Sequence, residues 1–279
     1  MKNILVPTDF SENSWNATKY ALDFFKNTPC NFYLLHVTLI SNYAGGESPI
    51  FPADAILEKT ILKQAKSSLI KLLKKIRKLP NIDKHHFYTL TNYNFFIDAV
   101  RNQIEEKNID LIVMGTKGAS GINKVIVGSN TGDLITQVQC PVLIVPEKAV
   151  FSIPKEIAFP TDYNIFYQPT ILKYISEFTK MYDSAIRILH IAKKDEKLTE
   201  FQLENKDFLN DYFLDEKHSF HRITSKKIET GVQCFVESRN INLIIMIAKN
   251  LNLFQRILFR ATVEEISYHI EIPFLVLHE

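Results

Sequence analysis

The chain has 279 residues, 46% of them hydrophobic and 23% charged, which suits one large or two ordinary folded domains. A net charge of +2 gives no electrostatic basis for binding nucleic acid or a membrane surface, and three scattered cysteines without a C-x-x-C spacing argue against a disulfide framework or a cysteine zinc site. No run approaches the roughly 18–20 apolar residues that span a bilayer, and the N-terminus opens on a strand-like run with no signal-type apolar core, so a cytoplasmic location is expected.

The first strand is expected at residues 3–7, followed by a helix over 13–25 with Ser11 as its N-cap. A strand over 31–37 leads into 41–52, which has loop composition and is expected to flap over a site. A long helix over 54–79 is stopped by Pro80, and its lysines and arginine between Lys63 and Lys78 read as a solvated face. Strands over 85–90, 110–114 and 142–145 alternate with helices over 95–106 and 129–138. Most strands are short and apolar throughout, as parallel strands covered on both faces should be. The order predicts an α/β doubly wound parallel sheet.

The chain repeats itself. Ile4-Leu5-Val6-Pro7-Thr8-Asp9 returns as Ile157-Ala158-Phe159-Pro160-Thr161-Asp162, and Tyr33-Leu34-Leu35-His36 as Arg187-Ile188-Leu189-His190. The runs 108–114 and 140–147 return at 240–246 and 272–279. Four matches in one order imply a tandem duplication, with domains at 1–148 and 152–279. Helices of the second half are expected at 164–181, 197–216, 226–238 and 260–269. In the second of these, acidic residues from Glu200 to Glu216 interleave with Phe201, Leu203, Phe208, Tyr212 and Phe213, which reads as one charged and one packed face. A weaker reading pairs this stretch with the basic helix of the first half.

Gly115, Gly118 and Gly128 follow the 111–114 strand run with the spacing G-x2-G-x9-G, and Ser129 comes next. Glycines bordering a strand-to-helix loop let backbone N–H groups approach phosphate oxygens at the positive end of a helix. The loop is neither a Walker A motif nor G-x-G-x-x-G. With strand order 3-2-1-4-5, the carboxyl ends of strands 1 and 4 would be neighbours, so Asp9 and the glycine loop would line one crevice.

Ile-Leu-Val-Pro-Thr-Asp-Phe-Ser at 4–11, Leu-Leu-His-Val at 34–37, Asp-Leu-Ile-Val-Met-Gly at 110–115, the glycine spacing and Cys-Pro-Val-Leu-Ile-Val-Pro at 140–146 resemble the universal stress protein family. The resemblance covers nearly the whole chain as a tandem pair. It implies two doubly wound domains, each a five-stranded parallel sheet of order 3-2-1-4-5, and ATP, with or without Mg²⁺, as the cofactor. It places Asp9 and Val37 on the adenine, Pro7 and Thr8 at the pocket floor, and Met114 on the base or sugar. Gly115, Lys117 and Gly118 would flank the ribose and phosphates, and Gly128, Ser129 and Asn130 would hold the triphosphate. It also implies association through the last strand. Here that becomes an intrachain pseudo-dimer in which 141–145 and 273–277 meet antiparallel, with a homodimer of whole chains left open and no nucleic-acid or membrane partner.

The second half departs from this pattern. Ile247, Asn250, Arg260 and Ala261 stand where Gly115, Gly118, Gly128 and Ser129 stand in the first, so it is expected not to bind ATP in that manner, with Arg260 able to fill the phosphate position itself. His36 and His190 recur at matched places and are expected to make structural hydrogen bonds. His85-His86 and His218-x-x-His221 lack further ligands at metal spacing. Cys30, Cys140 and Cys234 are expected to pack as small apolar residues. The sequence offers no hydrolytic centre and no catalytic residue. The leading reading is an adenine-nucleotide-binding regulatory protein of the stress-response type with little or no turnover. The alternatives are a slow ATPase, an adenylate-transferring enzyme on the same fold, and an interaction scaffold without nucleotide.

Overall fold

The computed structural model describes residues 1–38, 52–116, 129–248 and 271–278. The first half contains β1 (Lys2–Pro7), α1 (Glu12–Phe24), β2 (Cys30–Thr38), α2 (Pro52–Ile76), β3 (His85–Tyr93), α3 (Phe96–Lys107), β4 (Leu111–Gly115), α4 (Ser129–Gln137) and β5 (Val142–Val145). The second contains β6 (Glu156–Pro160), α5 (Pro169–Tyr182), β7 (Ala185–Ala192), α6 (Glu200–Tyr212), β8 (His218–Thr224), α7 (Ile228–Ser238), β9 (Leu243–Ile247) and β10 (Phe274–Leu277). The segments 39–51, 117–128 and 249–270 lie outside the described residues. With them go most of the expected loop at 41–52 and the helix expected at 260–269.

All ten strands form one sheet of order β3-β2-β1-β4-β5-β10-β9-β6-β7-β8. Each half therefore has the expected 3-2-1-4-5 order, but the two five-stranded sets are continuous. They join through β5 and β10, which pair antiparallel with Leu275 opposite Leu143. All other strand pairs are parallel. This closes what would be an exposed edge of each set, because unpaired N–H and C=O groups on β5 and β10 satisfy one another. The register reproduces the sequence repeat: Leu5 sits opposite Tyr33 as Ala158 sits opposite Arg187, and Ile112 opposite Val142 as Ile244 opposite Phe274.

Strand alternation sends side chains to two cores. One lies under α1, α2, α5 and α6 and includes Ile4, Val6, Phe24, Leu69, Ile171, Leu209 and Ile245. The other lies under α3, α4 and α7 and includes Leu5, Val100, Leu134, Val232 and Ile244. The segment joining the halves is fixed in the first core. Asn16 donates to the carbonyls of Pro146 and Ala149, and Phe151 packs edge-on against Tyr20 and Phe24. Phe24 also meets Phe178 and Tyr182, and Lys2 pairs with Glu177 across the halves. This aromatic seam cannot be read from the sequence, since its members come from three separate segments.

Several sequence expectations change. The fifth helix starts at Pro169, not 164, because Pro169 occupies the first helical position and residues 161–168 form a turn with its own hydrogen bonds. Proline in the same role starts α2 at Pro52, inside the stretch read as loop. In α6 the packed face carries Gln202, Asn205 and Leu209, while Leu203 and Phe208 are exposed; burial follows hydrogen-bonding need there, not apolarity. Cys30 and Cys140 are buried in the cores, and burial pushes their thiols up to about 11 and about 12. Cys234 instead lies exposed on the outer side of α7. The basic residues from Lys63 to Lys78, on α2 and just after it, are all exposed, with buried apolar positions between them. No helix among the described residues is long and apolar enough to cross a membrane.

Candidate functional site

The carboxyl ends of β1, β2 and β4 lie side by side, with β1 hydrogen-bonded to both neighbours. This is the point where the strand order reverses, the place where open α/β sheets form a ligand crevice. Three hydrogen bonds hold its rim. Thr8 N–H donates to Leu35 O at 2.8 Å, and His36 Nδ1–H donates to Thr8 O at 2.8 Å, tying β1 to β2. Thr131 Oγ1 donates to Gly115 O at 3.0 Å, tying the first turn of α4 to the end of β4. That last bond places Ser129 and Asn130, both exposed, beside the crevice at a helix N-terminus with no acidic side chain in its first turn. The partial positive charge there favours an anion.

The turn after β1 is built by side-chain bonds to its own backbone. Thr8 Oγ1 accepts from Phe10 N–H at 3.1 Å and bonds Ser14 Oγ at 3.0 Å. Asp9 Oδ1 accepts from Ser11 N–H at 3.0 Å and from Ser11 Oγ at 2.6 Å, and Ser11 Oγ accepts from Ser14 N–H at 3.2 Å. Asp9 therefore steadies the N-cap of α1 while remaining half-exposed at the crevice. These bonds force Phe10 to a φ of 65°, a left-handed conformation unusual for a bulky residue, with its exposed ring 4.5 Å from the His36 ring.

Of the sequence-predicted site residues, Pro7, Thr8, Asp9, Val37, Met114, Gly115, Ser129 and Asn130 all fall on these strand ends and this helix start. Pro7, Thr8 and Gly115 are buried, whereas Val37 and Met114 are half-buried. Lys117, Gly118 and Gly128 lie outside the described residues. For Gly115 the structure supplies a reason the motif does not state. A Cβ there would come within 2.8 Å of Asn13 Oδ1 and 2.9 Å of its Cγ, so the glycine leaves room for the Asn13 amide between α1 and β4. The sequence signal for it was present in the repeat, where Ile247 takes its place.

The second half carries the same turn, with a different fate. Thr161 Oγ1 accepts from Tyr163 N–H at 3.0 Å, Tyr163 has a φ of 58°, and His190 Nδ1–H donates to Thr161 O at 3.1 Å. Both histidines thus make the structural bond expected of them. But the turn runs on to Gln168 before its helix begins, against Ser11 in the first half. The longer path inserts Tyr167, whose hydroxyl takes the Thr161 bond that Ser14 supplies to Thr8. From above, α6 seals the turn: Gln202 donates to Asp162 O at 2.7 Å and Asn205 to Tyr163 O at 2.9 Å. Tyr163 is 2% exposed where Phe10 is 37% exposed. Burial raises the ionisation of both Tyr163 and Tyr167 well above the ordinary phenol value, so both stay neutral donors. The void left between Phe159, Thr161, Tyr167, Met246 and Ile247 has about 10 Å³ of free volume. That is roughly one water, against the few hundred Å³ of a typical ligand pocket.

With this geometry in view, the comparisons decide the family. The model of the universal stress protein family matches residues 1–146. The chain belongs to that family. A universal stress protein of Methanocaldococcus jannaschii is 31% identical over 144 residues, covering 52% of this chain and 81% of the relative. A universal stress protein A homologue of Coxiella burnetii is 29% identical over 144 residues, covering 52% of this chain and 95% of the relative. The crystal structure of a universal stress protein from Archaeoglobus fulgidus aligns over 99% of this chain and 98% of its own, with 16% identity and a TM-score of 0.70. The shared fold thus extends over both halves, while the family model matches the half with the open turn.

Proposed function

We propose that the chain is a regulatory protein that binds one adenine nucleotide in its first half, without appreciable turnover, and that its second half serves as a built-in dimerisation partner. The observation that carries this reading is the contrast between two equivalent turns: the one after β1 leaves Phe10 exposed at the strand-order reversal near the start of α4, and the one after β6 is filled by Tyr167 and sealed by α6. The described residues suit ATP. Ser129 and Asn130 stand at an anion-favouring helix start, Val37 and Met114 offer half-buried apolar surface for a base, and Asp9 offers a carboxylate beside them. Lys117, Gly118 and Gly128 would complete the phosphate side, with Mg²⁺ accompanying the triphosphate. Bound nucleotide would draw the ends of β1, β2 and β4 and the start of α4 against one ligand, and so bias a partner contact in a stress response.

Equilibrium binding of ATP to the purified chain and to Gly128→Arg, measured beside phosphate release, tests this. Saturable binding lost in the variant, with negligible phosphate release, is expected. Steady release in the native chain would favour the ATPase reading. No binding in either would favour a scaffold.

A further inference from the structure

The two halves carry opposite charge on equivalent outer helices. From Lys59 to Pro80 the first half has seven lysines and one arginine and no acidic residue. Of these, Lys63, Lys66, Lys71, Lys74, Lys75, Arg77 and Lys78 are exposed, with Ile70 51% exposed among them. On α6 and the turn after it the exposed side chains include Glu204, Asp207, Asp211 and Asp215, with Leu203, Phe208 and Leu214 exposed between them at 46%, 39% and 70%. Scattered exposed apolar residues need no explanation, but three within twelve residues, flanked by four exposed carboxylates with Lys206 turned onto the Phe220 ring, suit a covered surface.

These surfaces cannot meet within one chain. α2 packs on β2 and β3, at one end of the sheet. α6 lies over β8 at the other, with Lys206 above the Phe220 ring and Asn210 bonded to His218. β2 and β7 are seven strand spacings apart, or about 33 Å. That is several Debye lengths at physiological salt, so neither helix relieves the other's self-repulsion. The pairing of the acidic and basic stretches inside the chain, read as a weaker option from sequence, is thereby excluded.

We infer that the occupant of the acidic α6 surface is the basic α2 surface of a second copy of this chain. Each surface supplies what the other lacks: one sign of charge, and apolar side chains to be covered. The near-zero net charge of the whole chain lets two copies approach without net repulsion. The contact is separate from the β5–β10 junction, which already lies inside one chain.

Sedimentation of the full chain at about 0.01 M and about 1 M salt reads the contact, since the screening length falls tenfold between them. Self-association is expected at low salt and loss of it at high salt. Asp207→Lys with Asp211→Lys, and separately Lys71→Glu with Lys74→Glu, place like charges opposite each other. Each pair should weaken association by about a hundredfold or more. A chain carrying all four substitutions has the charges exchanged and should associate again. All four positions are exposed, so circular dichroism should be unchanged. A chain monomeric at low salt, association indifferent to either reversal, or a four-fold variant that stays monomeric would each overturn the inference.

Discussion

The turns after β1 and β6 share one backbone design and end as a rim and a plug. Both keep a Thr-Asp pair, a bulky left-handed residue next, and a histidine bonding back to the threonine carbonyl. What separates them is chain length and one residue type. Extra residues before α5 carry Tyr167 inward, and Ile247 fills the place where Gly115 leaves room for the Asn13 amide. The lesson is that the space at a strand-order reversal is filled by lengthening one turn, with the strands and their register untouched.

The largest expected effect comes from removing the plug. Tyr167→Ala empties a ring that is 5% exposed and packed against Phe159, and should cost about 3–5 kcal/mol in urea unfolding. No comparable cost should follow Phe10→Ala in the first half, whose ring is already open to solvent. Next, Gly115→Ile, which copies the second half, should cost about 1–3 kcal/mol through overlap with Asn13. Asn13→Ala in the same chain should recover part of it; absence of recovery would detach Gly115 from helix packing. Ser11→Ala should cost about 1 kcal/mol, because it removes the cap of α1 and a partner of Asp9. Gln168→Ala should change little, as Gln168 makes no side-chain cap bond.

The smallest effect is a pH slope at matched edge-strand histidines. His85 is buried against Phe32, neither ring nitrogen has a hydrogen-bond partner, and burial lowers its pKa from the ordinary value of 6.5. Its counterpart His218 bonds Glu216 O and Asn210. For His85 the unfolded chain binds the proton more readily. Its contribution is therefore full above about pH 6.5 and is lost as pH falls from there toward the lowered folded value. His85→Phe should flatten that part of the stability profile, and His218→Phe should leave it in place.

Much of this was legible in the sequence because it rests on local pattern. Apolar runs marked the strands, and the four-segment repeat carried the strand order of one half to the other. The last strands met antiparallel as read. What stayed hidden depends on contacts between distant segments. Tyr167 looks like any aromatic ahead of a helix until its hydroxyl is seen on Thr161. Gln202 and Asn205 sit among phenylalanines and leucines that seemed the better candidates for burial, yet the amides are inside because the turn's carbonyls need donors. Gly115 was read for phosphate approach, whereas its nearest constraint is a helix.

The central claim is that only the first half holds a nucleotide. The most direct measurement is mass analysis of small molecules released on denaturing freshly purified protein, beside Gly128→Arg and a chain carrying Tyr167→Ala. The account predicts a roughly stoichiometric adenine nucleotide from the native chain, the same from Tyr167→Ala, and none from Gly128→Arg. Nucleotide still released from Gly128→Arg, or a native chain that is empty and fails to take up added ATP, would contradict it.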